Sequence, residues 1–573
     1  MTHDVTNQPP PLAGYDVYAA DAVLREAVDR EGGGWAAPSL GELGRLAGDP
    51  TWIDRGFQAN QNPPRLRSHD RYGHRIDEVE YHPAWHQLMD VAVRHGLHGG
   101  PWRDPRPGAH VARAAAHLVW SQVEAGVACP ITMTYASIAA LRTSPELAAT
   151  WEPVITAPVY QPQLRPLAEK AGALIGMAMT EKQGGSDLRA NTTRAVRSRS
   201  DDAGSGSGST APAYRLTGHK WFCSAPMSDG FLVLAQDDAG PSCFLLPRVL
   251  PDGTRNAIRL QRLKDKLGNR ANASSEIELD GALAWLVGEP GRGIATIATM
   301  VNLTRLDCVV GSAALIRQAT AQAVHHAGHR RAFGARLADQ PLMSVVLADL
   351  AVESEASTAL AIRLAAAVDR SEQPDSEQPE PTADREHETL IRRIGTAVGK
   401  YWVCKRTPQV TAEALECLGG NGYVEESIMP RLYREAPLNS VWEGSGNINV
   451  LDVLRVLTRE PRTSEALLNE LDRAAGADHR LDDHVRRLRK SLAGLPAAMA
   501  DDPAAVQRDG RRLVAAMALA FQGALLVQHS PAAVADAFCA SRLAADAAGW
   551  TFGTAGSVAA ADKLIERHTP MPS

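Results

Sequence analysis

RLYREAPLNSVWEGSGNINVLDVLRVL (431–457) is the stretch on which the reading of this chain turns. Its second half repeats apolar residues at Ile448, Leu451, Leu454 and Leu457, a three-residue spacing that predicts an amphipathic helix with those four side chains on one face. Just before that helix Glu443 stands alone among Trp442, Gly444, Ser445 and Gly446. A carboxylate beside apolar groups is desolvated and gains proton affinity, as a general base requires. The same acid could instead favour the positive end of the helix, with Ser445 or Asn447 as the cap. The residues alone leave both readings open.

Working outward, ALECLGGNGY (414–423) places glycines 419, 420 and 422 where a helix should end in a turn. In HRRAFGARLADQPLM (329–343), Arg330 and Arg331 close one helical run before Phe333-Gly334, and Gln340-Pro341 restarts another. Arginine at that point suits a phosphate or the negative end of its own helix. Further upstream the texture changes to short, β-rich segments such as AYRLTGHKWFCS and SSEIELDGALAWLV, separated by turn residues. Within them MAMTEKQGGSD (177–187) sets Thr180, Gly184, Gly185 and Ser186 directly after a strand. Their amides and hydroxyls suit a heterocycle edge or a pyrophosphate, or else form an ordinary glycine turn. GHKWFCSAP (218–226) is expected to carry Trp221 and Phe222 on opposite strand faces beside Ser224, one ring being available for stacking or for the core.

The order is therefore helical (1–176), β (177–288), helical (289–458) and helical again (459–573), a multidomain α+β architecture. HVARAAAHLVWSQVEAGV (110–127) typifies the first region, and the last is Ala- and Leu-rich with an expected break at GLPAAMADDPAA (494–505). DDAGSGSGSTAPA (201–213) reads as a flexible loop, and SEQPDSEQPEPTADREHE (371–388), Pro-rich and acidic, as a mobile insertion between helices. Strands and helices do not alternate. Gly444-Ser445-Gly446 lacks both a third glycine and a preceding strand, so a Rossmann site is excluded.

At 573 residues the chain exceeds a single core, and 44% hydrophobic with 22% charged residues is ordinary globular usage. A net charge of −6 argues against nucleic-acid binding through the overall field. From Arg462 onward acids and bases are equal in number, and only HVRRLRK (484–490) and QRDGRR (507–512) are locally basic, with Arg486, Arg487 and Lys490 on one helical face. Seven scattered cysteines without a CxxC pair indicate neither a disulfide framework nor a metal site. The N-terminus has no leader pattern, and no uninterrupted apolar run reaches the roughly twenty residues of a membrane span. A cytoplasmic location and no membrane partner are expected.

Taken in order, TEKQGGSD (180–187), GHKWFCS (218–224), KLGNRANASSEIELD (266–280), Arg330 with Phe333-Gly334, LGGNGY (418–423) and WEGSGNI (442–448) resemble the acyl-CoA dehydrogenase family. ITMTYA (131–136), the TEK start in place of the usual TEP, PRLYREAPLNSVWEGSGNI (430–448) and the additional C-terminal helices narrow the resemblance to its AidB branch, associated with the bacterial response to DNA alkylation. The resemblance implies a helical, β, helical core around non-covalent FAD in a homotetramer. Met177, Met179, Thr180, Gly185 and Ser186 match the strand and loop at the isoalloxazine and pyrophosphate, and Phe222 and Ser224 the strand behind the flavin. Arg330, Phe333, Gln340, Gly419 and Gly420 match segments that reach the adenosine half of FAD in a neighbouring subunit. Trp442, Ser445 and Asn447 flank the flavin, and Glu443 matches the base that takes the α-proton of an acyl thioester. An acyl-CoA ligand, an electron-transferring flavoprotein as acceptor, and double-stranded DNA at the C-terminal region are the implied partners.

Overall fold

The computed structural model describes residues 2–198, 211–372, 383–544, 551–554 and 560–570. Two compact units are drawn from non-contiguous segments. One, mainly sheet, combines Asp54–Pro105 with Glu124–Thr304; the other, helical, combines Met1–Ile53, Arg106–Val123 and Arg305–Ser573.

In the sheet unit the strands are β1 (Arg65–His69), β2 (Arg75–Glu80), β3 (Ile175–Ala178), β4 (Arg194–Arg197), β5 (Ala213–Ser224), β6 (Gly230–Asp237), β7 (Gly240–Pro247), β8 (Ile258–Leu263) and β9 (Ser274–Val287). The pairings β6–β4, β4–β5, β5–β9, β9–β7 and β7–β6 run in a closed ring, with β8 added on β9 and β3 parallel to β6. β6 and β7 are buried over most of their length, consistent with the continuous apolar runs FLVLA and CFLL. The hairpin β1–β2 falls in a region read from sequence as helical. The first strand alternates between exposed and half-buried positions, the second buries Asp77 and Val79, and both carry mostly charged residues, so no apolar period marks them. Arg75 donates to the Leu260 carbonyl (2.9 Å) and Arg248 to that of Asp77 (3.1 Å), tying the hairpin to the sheet.

At the centre of the helical unit is the helix Pro341–Glu372, buried at every position from Leu347 to Asp369. A helix enclosed on all sides must satisfy every charge it carries. Arg363 pairs with Glu388 (2.7 Å) and Glu470 (2.6 Å), Glu353 with Arg406 (3.0 Å), and Asp349 with Arg542 (2.5 Å). Asp369 accepts from the amides of Gly108 (2.8 Å) and His110 (2.9 Å). The helices Gly293–His329 and Pro503–His529 each contain an 18-residue window apolar enough to cross a membrane by length and composition, but 61% of each window is buried, as in core helices.

Three expectations are corrected. Of the insertion expected at 371–388, Ser371 and Glu372 end one helix and 383–388 form the first turns of the next, Ala383–Cys417, whose Asp384 and Glu386 favour its N-terminus; 373–382 lie outside the described residues. Ala213, placed in the 201–213 loop, opens β5, and 201–210 likewise lie outside the described residues. The break expected across 494–505 falls at Asp502, whose carboxylate caps the next helix through the Ala505 amide (2.9 Å), while Pro496 is carried inside the helix His479–Asp501.

Candidate active site

Predicted site residues occur in both units. In the sheet unit, β3 alternates so that Met177 and Met179 are half-exposed on either side of buried Ala178. Thr180 then leaves the strand, its carbonyl accepting from the Trp221 amide (2.8 Å). Gly185 packs against it so closely that a Cβ there would lie 2.3 Å from the Thr180 hydroxyl, which accounts for the glycine. The amides of Gly185 and Ser186 make no hydrogen bond among the described residues, leaving two adjacent donors in an exposed turn. Ser224 lies opposite Ser274, their hydroxyls 3.4 Å apart.

The aromatic pair departs from expectation. A register shift between Lys220 and Cys223 breaks the alternation of β5 against β9, so Trp221 and Phe222 are not divided between the two faces. The Lys264 ammonium lies 3.5 Å from the Trp221 ring centre and 4.5 Å from that of Phe222, and Phe222 is 46% exposed.

In the helical unit the helix Gly446–Arg459 follows the Trp442–Gly446 turn. Its buried face is Asn449, Val450, Val453, Leu454 and Leu457, with Leu451 exposed, so the face drawn through Ile448 and Leu451 is rotated. Ser445 sits at the N-cap position but makes no capping bond with its side chain. Glu443 is half-buried and adopts φ +57, a left-handed conformation costly for a residue with a Cβ. Side-chain donors hold the carbonyls on either side of that strain and its own. Lys400, itself buried, donates to the Trp442 (2.8 Å) and Gly444 (2.5 Å) oxygens, Arg305 to that of Glu443 (3.0 Å), and Asn449 to Gly444 (2.7 Å). Arg305 is anchored in turn by Asp452 (2.6 Å), which Arg393 also meets (2.9 Å). Although burial alone would raise the Asp452 carboxyl, these guanidinium groups hold it well below its ordinary range.

Arg330, Phe333, Gln340, Gly419 and Gly420 also belong to the helical unit. Asn7 accepts the Arg330 guanidinium on its carbonyl (2.5 Å) and the Arg331 amide on its side chain (2.8 Å), while Gln8 accepts from Asn421 (3.2 Å). The N-terminal arm thus touches both glycine-bearing segments. Gln340 donates to the Ala332 carbonyl (3.1 Å). Phe333 is 97% exposed at φ +50.

Along nearly its whole length the chain is similar to AidB of Escherichia coli: 45% identical over 541 residues, 94% of each protein. The chain belongs to the AidB branch of the acyl-CoA dehydrogenase family. Residues 7–162 match the N-terminal domain of the adaptive response protein AidB, 176–282 the acyl-CoA dehydrogenase middle domain, and 291–458 its C-terminal domain. Acyl-CoA dehydrogenase family member 11 of Caenorhabditis elegans is 30% identical over 499 residues, 83% of this chain and 77% of that one. The crystal structure of Caenorhabditis elegans ACDH-11 in complex with C11-CoA superposes with a TM-score of 0.82 at 27% identity, covering 95% of this chain and 94% of that one.

An AidB-type chain is an oxidoreductase of the flavin-dependent kind, with FAD as the family's cofactor. The residues present fit that group. The Gly184–Ser186 turn offers adjacent amides of the sort that cradle a phosphate, and Phe222 an exposed ring. Glu443 supplies a carboxylate on a backbone held in one conformation. Sequence reading missed the supports: Lys400, Arg305, Asn449 and Lys220. For the two lysines a signal existed. Each interrupts an apolar run, AVGKYWVC or GHKWFC, where a cation must find buried partners.

Proposed function

We propose that this chain is an FAD-dependent acyl-CoA dehydrogenase in which Glu443 is the catalytic base. The observation that carries the reading is the strained Glu443 backbone, held through three successive carbonyls by Lys400, Arg305 and Asn449. That investment fixes the backbone from which the carboxylate projects, which a helix-terminus acid does not need. Met177, Met179, Thr180, Gly185, Ser186, Phe222, Ser224, Trp442, Ser445 and Asn447 are the residues that the family resemblance assigns to the cofactor. Bound FAD supplies the acceptor for the hydride equivalent leaving the acyl chain. Glu443 accepts the proton from the carbon next to the thioester carbonyl, and the immobilised turn keeps that oxygen in place as the proton arrives. An electron-transferring flavoprotein would then reoxidise the cofactor.

In this reading Arg330, Phe333, Gln340, Gly419 and Gly420 serve the adenosine half of FAD in a neighbouring copy, within a homotetramer in the cytoplasm. Exposed Phe333, Leu342 and Tyr423 support an apolar contact there. The second reading, protection against alkylation through bound duplex DNA, draws on the match to the adaptive response protein's N-terminal domain. Charge favours the first. In the two basic runs Arg486, Arg489, Arg508 and Arg512 pair with Asp483, Asp472, Asp502 and Asp509, at 2.6 to 3.3 Å.

Rapid mixing of the yellow holoprotein with short, branched and long acyl-CoAs tests the proposal, bleaching of the flavin being the expected result. No bleaching with any thioester, together with salt-dependent binding of a DNA duplex, would replace the first reading by the second. Light scattering of the holoprotein tests the assembly: a monomer with full FAD occupancy would overturn it.

A further inference from the structure

The helix Pro503–His529 lies beyond the residues that match the acyl-CoA dehydrogenase domains, which end at 458. It nevertheless packs on the helix Gly446–Arg459. Gly510 is buried, and a Cβ there would come within 2.7 Å of a Val450 methyl and 3.2 Å of a Leu454 methyl. Such close approach fixes the register of the two helices and brings the next residue, Arg511, to Asn447, one turn ahead of Val450. Both Nε (2.9 Å) and Nη2 (2.6 Å) of Arg511 donate to the same acceptor, Oδ1 of Asn447. Two guanidinium donors on one oxygen settle which end of the carboxamide is which, because the flipped amide would set its NH2 against the cation. The NH2 donors of Asn447 make no hydrogen bond among the described residues.

The placement runs against simple electrostatics. Asn447 stands at the N-terminal end of its helix, where a cation is disfavoured. Lys405 is there too, its Cε 2.9 Å from where a Gly446 Cβ would stand, and burial together with the Arg511 guanidinium lowers its ammonium. Among the described residues no carboxylate forms an ion pair with Arg511 or Lys405. The neighbouring Arg508 and Arg512 both have such partners, so the difference lies in this position and not in the helix.

We infer that Arg511 is a positioning residue of the flavin site: from the C-terminal helical region it clamps the Asn447 carboxamide so that its NH2 group is presented to the cofactor. The inference rests on the reading of Asn447 as a flavin contact. It makes the appended helices part of the cofactor site as well as an extension of the fold.

The test is a double-mutant cycle on the holoprotein, read by FAD dissociation constant, the visible absorbance bands of the bound flavin and thermal midpoint. Asn447→Ala and Arg511→Ala should each weaken FAD by about tenfold and move the flavin bands alike. The double variant should be no worse than Asn447→Ala. Arg511→Lys, which keeps the charge but loses the two-donor geometry, should recover only part of the affinity. Additive losses, or full recovery with lysine, would overturn the inference while leaving Asn447 as a flavin contact. No loss in Asn447→Ala would remove that contact, and the inference with it. If Arg511→Ala fails to fold, Arg511→Gln replaces it in the same cycle with the same outcomes.

Discussion

Two glutamates sit in glycine-bearing turns of this molecule, Glu181 in the sheet unit and Glu443 in the helical unit, and they are held in opposite ways. Glu181 is fully buried, and its carboxylate is consumed: Lys220 (2.8 Å), Gln183 (2.9 Å), the Thr192 amide (2.7 Å) and hydroxyl (2.9 Å) and the Thr193 amide (3.1 Å) all donate to it. Burial alone would raise its carboxyl, but Lys220 and these donors hold it far below its ordinary value. Around Glu443 side-chain donors meet three backbone carbonyls in a row, and the residue carries the strain. One acid is a structural anchor, so its side chain is what the fold restrains. Around the other, the fold restrains the backbone on which the carboxylate is carried.

The largest expected effect tests the chemical half. Glu443→Gln should keep FAD and the thermal midpoint but slow substrate-dependent flavin reduction by about a hundred- to ten-thousand-fold, the range of a general base. Equal reduction rates in stopped-flow traces of wild type and variant would remove Glu443 from the mechanism.

Lys220→Met tests the structural half. It leaves the Glu181 carboxylate buried without its cation, and chemical denaturation should register a loss of about 3–5 kcal/mol. A loss below about 1 kcal/mol would mean that the surrounding amides suffice alone and that the contrast with Glu443 is overdrawn.

Glu443→Gly should gain about 1 kcal/mol in the same assay while abolishing turnover, because glycine adopts the left-handed conformation without a Cβ clash. The same change at Glu181 should destabilise. Gain at one site and loss at the other is the sharpest form of the comparison.

The smallest effect separates the units by pH. In the helical unit, burial lowers His117 to about 4 and His568 to about 3. Unfolding lets each take up a proton below its free value near 6.5, so stability falls as pH falls. The loss is about 0.7 kcal/mol per histidine between pH 7 and 6. Glu181 is lowered, so its contribution is complete above the free value of 4.5 and is lost only under stronger acid. Melting curves should therefore soften from pH 7 downward, and His117→Gln should flatten that decline without touching the steeper acid limb. A decline unchanged in His117→Gln would assign the slope to other groups.

Much of this was legible in the chain order of residues. Ordered motifs from Thr180 to Ile448 carried the family, the helical, β, helical sequence and the lone acid before a helix, because glycine turns, strand alternation and helical spacing are local properties. Helical spacing did not determine which side of the Gly446–Arg459 helix is buried, since Leu451 is exposed and Asn449 buried. That depends on neighbours far away in sequence, Gly510 among them. Nor could alternation foresee that one extra residue opposite β9 would bring Trp221 and Phe222 to the same lysine. Residue types and spacing alone determined that two acids stand in glycine turns. Only the tertiary structure decided that Glu181 meets Lys220 across the sheet while Lys400 and Arg305 take the carbonyls around Glu443, because hydrogen-bond partners 39 to 138 positions apart are set by packing and not by local pattern.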